Sequence, residues 1–167
     1  YDPSFKADPK IMGGHLRLAG GEWTNGSDIL TVGTPPVGVN HVYSMFTLRS
    51  SDVLWDLYVY GNHAESGLTH DLGVYNFSPS EGVGSVVDRD YFASALSTGT
   101  TASARISAYE EALESTYGRS RGITLAEHLG KPDQGQTYAI CFTTIGEYGI
   151  NVANFMIGAY AIYTSGD

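Results

Sequence analysis

Val152-Ala-Asn-Phe-Met-Ile-Gly-Ala-Tyr-Ala-Ile-Tyr-Thr164 alternates with a period of two. Phe155, Ile157, Ala159, Ala161 and Tyr163 share one face of an extended strand, and Met156, Gly158, Tyr160 and Ile162 share the other. Both faces are apolar. Such a strand belongs at the centre of a sheet covered on both sides, or where another subunit completes the packing. The run before it, Thr137 to Ile145, gives a second strongly apolar strand.

Further back, Val53-Leu-Trp-Asp-Leu-Tyr-Val-Tyr60 alternates again. It predicts a core face of Val53, Trp55, Leu57 and Val59 and an opposite face of Leu54, Asp56, Tyr58 and Tyr60. Shorter strands are expected at His15–Ala19, Ile29–Val32, Val42–Leu48, Leu72–Phe77 and Tyr91–Leu96. Turns are expected at Gly20-Gly21, Asn25-Gly26, Pro35-Pro36 and Ser78 to Gly82.

Between Thr101 and Gly118 the period changes, because Ile106, Tyr109, Leu113 and Tyr117 form one helical stripe with Glu110, Glu111 and Glu114 pointing away. Thr124-Leu-Ala-Glu127 is a capping box that opens a short second helix, ended by Gly130 and Pro132. The expected fold is mainly β, a β-sandwich of immunoglobulin/fibronectin III-like or jelly-roll-like form, with a helical hairpin insertion around 101–130. Residues 1–14, with Pro3, Pro9 and Gly13-Gly14, read as an N-terminal arm or linker, and 15–167 as a single domain.

Composition agrees. The 167 residues include 21 Gly and 12 Tyr but only 16% charged side chains, which suits many short strands and turns. A net charge of -9, with scattered basic residues, argues against nucleic acid as a partner and against docking on anionic lipid. No run of about 18 apolar residues is present, so no membrane insertion is expected. Composition suggests a secreted or cell-surface setting, and the start at Tyr1 suggests a processed or trimmed chain.

Catalytic patterns are matched only in part. Gly118-Arg-Ser-Arg-Gly122 fits the letters of a nucleophile elbow, but Ser120 follows an expected helix rather than a strand and no His follows Asp133. His63, Glu65, His70 and Asp71 crowd one loop at spacings foreign to zinc sites and read as solvated polar residues. Gly82-Val-Gly84 lacks the third glycine and the helix of a dinucleotide fingerprint. Cys141, the single cysteine, reads as a small buried hydrophobe. Asn25-Gly-Ser27 and Asn76-Phe-Ser78 satisfy the glycosylation sequon.

Two constellations remain. Asp88 and Asp90 offer oxygen ligands for Ca2+, the one cofactor considered. Trp23, Tyr58 and Tyr60 are the aromatic residues singled out for a ligand-binding surface, since such rings stack on sugars and make rigid protein contacts.

Asp88-Arg-Asp-Tyr-Phe92, Gly122-Ile-Thr-Leu-Ala-Glu127 and Pro132-Asp-Gln-Gly-Gln-Thr-Tyr138 together resemble the fibronectin type III-like modules of Bacteroidetes surface lipoproteins. The resemblance spans residues 88–144. It implies a non-catalytic module and carries over no active-site residues. The expected function is a non-enzymatic extracellular binding or adhesion module, with a protein or glycan surface as partner. The alternative is a structural subunit of a self-assembling filament or shell, completed by strand exchange between its own copies.

Overall fold

A computed structural model of the chain describes residues 16–25, 41–62, 69–97, 103–106, 123–145 and 155–166. Among them, eight strands form two four-stranded antiparallel sheets. The strands are β1 (Leu16–Asn25), β2 (Val42–Arg49), β3 (Val53–Asn62), β4 (Thr69–Ser78), β5 (Gly82–Ser97), β6 (Ser103–Ile106), β7 (Thr137–Thr144) and β8 (Phe155–Thr164). Sheet A has the order β1-β8-β3-β6 and sheet B the order β2-β7-β4-β5.

The pairing is nested. β4 and β5 are consecutive neighbours, β3 pairs with β6, β2 with β7 and β1 with β8, as if one long hairpin had been rolled up. That arrangement is a jelly roll. An immunoglobulin- or fibronectin-type sandwich would place β1 beside β2 in one sheet, whereas here they lie in different sheets.

The inward faces make one core. Leu54, Leu57, Val59, Ile157, Ala159 and Ala161 of sheet A meet Leu48, Leu72, Val74, Phe92, Ile140 and Phe142 of sheet B, all buried. β8 lies inside sheet A, between β1 and β3. The predicted alternation of β3 holds only from Leu57 onward. A bulge between Leu54 and Asp56 reverses its phase, so Leu54 is buried while Val53 and Trp55 are half-exposed on the opposite face.

Gly20-Gly21 is not a turn, for β1 runs straight through it. Gly21 lies opposite Ala159 on the inward face, and a Cβ there would overlap the Met45 carbonyl of β2. Glycine lets the two sheets close at this edge. Sheet packing, rather than local conformation, sets the residue.

The helical hairpin is corrected in part. Ser103–Ile106 is strand β6, paired with Leu57–Tyr60, where the helical stripe was expected to begin. Tertiary pairing overrides a local period here. Tyr109, Leu113 and Tyr117 lie outside the described residues. The second helix is present as α1 (Leu125–Leu129), with both halves of the Thr124/Glu127 capping box formed and Gly130 closing it in the left-handed region at φ 64. Its Leu125 and Ala126 amides donate to the carbonyls of Asp52 and Ser50, docking the helix on the β2–β3 turn.

β5 carries the largest irregularity. Leu72 pairs with Ala93 and Val74 with Asp88, so a step of two residues along β4 is matched by a step of five along β5. The excess passes over Gly73, and Asp71 holds it on both sides: one carboxylate oxygen accepts from the Ala95 amide (2.8 Å) and the other meets the Arg89 guanidinium (2.8 Å). Ala95 itself sits at φ 50. The N-terminal arm (1–14) and the expected strand Ile29–Val32 lie outside the described residues.

Candidate functional site

The outer face of sheet A follows from strand register. Tyr58 pairs with Tyr160 and Tyr60 with Gly158 across β3 and β8, while Gly20 and Glu22 of β1 face the same two β8 residues from the other side. Tyr58 and Tyr160 stack with ring centroids 4.9 Å apart and planes 12° from parallel. The ring of Tyr60 lies over Gly158, where a Cβ would overlap it. Its hydroxyl donates to Glu22 Oε2 at 2.8 Å.

Toward one end, Trp55 Nε1 donates to Thr164 Oγ1 at 3.1 Å, and Tyr58 donates to Asp56 Oδ2 at 3.3 Å. Leu16, Leu18 and Ile162 complete a row that register places on the same side. Tyr160 is 37% exposed, Leu16 50% and Leu18 73%. β8 is therefore central, and among the described residues sheet B packs on its inward face.

The structure brings Tyr58 and Tyr60 together. The backbone of Trp23 pairs with Ile157 of β8, and its side chain lies outside the described residues. Glu22 and Tyr160 join the site, and sequence reasoning missed both as members. Tyr160 was legible from the alternation of β8. Glu22 lies 38 positions from Tyr60 and gives no local signal.

Asp88 and Asp90 are exposed neighbours on the irregular part of β5, with the Asp90 amide donating to Asp88 Oδ1 at 3.3 Å. Partial burial, and then the facing Asp90 carboxyl, raise the Asp88 pKa. Among the described residues no group of three or more His, Cys, Asp or Glu side chains converges as a metal site. His70 and Asp71 point to opposite faces of β4: His70 is in the core, edge-on to Phe142, and Asp71 is engaged by β5. Ser120, His63 and Glu65 lie outside the described residues.

Cys141 is buried, and burial pushes its thiol up to about 11. The hydroxyls of Tyr43 and Tyr60 are each pushed up to about 12, chiefly by burial, with Glu22 adding to the effect at Tyr60. All three groups hold their protons more tightly when folded than at their ordinary values of 9.0 and 10.0. Their contribution to stability is complete below those values and is lost as pH rises through about 11 and about 12. The urea midpoint should accordingly stay level to pH 9 and then fall toward pH 12.

No helix among the described residues is long and apolar enough to cross a membrane. No protein-family model matches the chain, and no curated protein sequence matches it. Among solved structures it is similar to a chain of the cyanophage Pam1 capsid asymmetric unit, at 12% identity and a TM-score of 0.49 over 92% of this chain and 87% of that one. It is also similar to infectious bursal disease virus VP2 in the subviral particle, at 14% identity and a TM-score of 0.42, over 90% of this chain and 33% of that one. The Gx strain of that virus gives 11% identity and a TM-score of 0.43, with 91% and 33% covered. This chain spans about a third of the bursal disease virus chains it resembles.

Proposed function

We propose that this chain is a structural subunit that works by associating with copies of itself, in a filament or shell, in the secreted or surface setting its composition suggests. One observation carries the reading: β8 is apolar on both faces and central in its sheet, yet among the described residues only its inward face is packed against a second sheet. Leaving such a face in water costs free energy that association recovers.

The alternative use of the tyrosines, as a platform for sugars, has less ring surface to draw on, because Tyr58 and Tyr160 turn one of their two faces to each other and Tyr60 lies against Gly158. The expected result is a thermal midpoint that rises with protein concentration, because association stabilises the folded form by mass action. A midpoint independent of concentration would contradict the proposal.

A further inference from the structure

Resting on that reading, we infer that β1 is an exchanged strand: β1 of one copy completes sheet A of another, lying along that copy's β8 as it lies along its own in the single chain. β8 is the wrong strand to exchange, because β1 and β3 flank it on both sides.

The way β1 is held points to exchange. Among the described residues it is the first strand in chain order and an edge strand whose one pairing partner is β8. Register pairs it with β8 along its whole length, from Leu16↔Thr164 to Asn25↔Phe155. Its side chains add little to the core. Opposite the inward Ala161 and Ala159 it offers Ala19 and Gly21, and among the described residues no β1 side chain is buried. Ala19 packs partly against the core, while Leu16 and Leu18 are exposed. Backbone pairing therefore supplies most of the attachment, and a second chain can supply the same pairing.

The slot also selects its occupant. A Cβ at position 21 would overlap the Met45 backbone, and one at position 20 would come within 3.0 Å of the Tyr160 Cβ. The next position places a carboxylate where Glu22 accepts the Tyr60 hydroxyl at 2.8 Å. Gly20-Gly21-Glu22 meets all three demands, so the strand that fits is a second copy of this one.

Chain length permits the transfer. Residues 26–41 separate β1 from β2, and at full extension they span roughly 50 Å. β1 can thus reach a neighbour while β2 stays in its own sheet. Because the β1–β8 contacts are the same in either arrangement, concentration decides between them. Reciprocal exchange closes a pair, and donation from copy to copy makes an open chain.

The test mixes two single-cysteine variants, Leu18→Cys and Ile162→Cys, whose positions register sets opposite each other. They are unfolded, refolded together at high concentration and oxidised; the native Cys141 is buried. Exchange predicts a reducible band at twice the 17.9 kDa chain mass from the mixture and none from either variant alone. Only β1 of one chain beside β8 of the other brings the two thiols together. Should Ile162→Cys fail to refold, Leu16→Cys and Thr164→Cys, also opposite each other, take their place.

The same band from either variant alone would mean that like positions meet. A mixture without the band, in which mass still climbs with concentration, would mean that β1 stays on its own chain. Either result overturns exchange and spares the self-assembly reading, whereas no band and a constant mass would overturn both.

Discussion

Gly73→Ala is expected to remove about 3 kcal/mol or more of folding free energy, the scale of severe overpacking. Gly73 is buried in the middle of β4, and a Cβ there would overlap the carbonyls of Asp88 and Arg89, where β5 crosses over the strand. The obstacle is backbone, and Asp71 pins that backbone through Arg89 and the Ala95 amide, so it has little room to retreat. In a domain of this size such a loss lowers the melting temperature by roughly 6–12 °C. Gly84→Ala is the control: on the same hairpin its Cβ would sit 3.5 Å from the nearest atom, an ordinary contact, and the change should stay within about 0.5 kcal/mol. Equal effects from the two substitutions would mean that β5 does not cross β4 as described.

Phe142→Ala should cost about 3–5 kcal/mol, the range for deleting a fully buried aromatic ring. Phe142 is completely buried on β7, which lies between β2 and β4, and it pairs with Tyr43 on one side and Leu72 on the other. The His70 ring stands edge-on to it, with centroids 5.8 Å apart. Strands on both flanks keep the site from collapsing, so the cavity persists. Phe142→Leu, which refills most of the volume, should cost about 1.5 kcal/mol or less. Urea unfolding of the three proteins measures both differences, and a Phe142→Ala loss below that of Phe142→Leu would refute this placement of the core.

Much of the fold was legible in the sequence because it is written locally. The alternation of β8 and of β3 from Leu57 onward, the apolar run of β7 and the Thr124/Glu127 capping box each reflect a local pattern that few residues can satisfy otherwise. What escaped was non-local. The bulge at Trp55 inverts half of β3 and leaves no mark in composition. Gly20-Gly21 looks like a turn until Met45 arrives from the other sheet. Ile106 lies on a helical stripe with Tyr109, but pairing with β3 decides the conformation of its segment.

The candidate site divides the same way. Tyr58 and Tyr60 were legible as neighbours because i and i+2 share a strand face. Trp23 was grouped with them by residue type alone, and its side chain lies outside the described residues. Glu22 entered only when the topology set β1 two strands away from β3, across β8.

The most direct test of the central claim is the solution mass of the purified chain by light scattering across a wide range of concentrations. Self-association predicts masses that climb from that of one 17.9 kDa chain to multiples of it. A single mass of 17.9 kDa at every concentration would contradict the account.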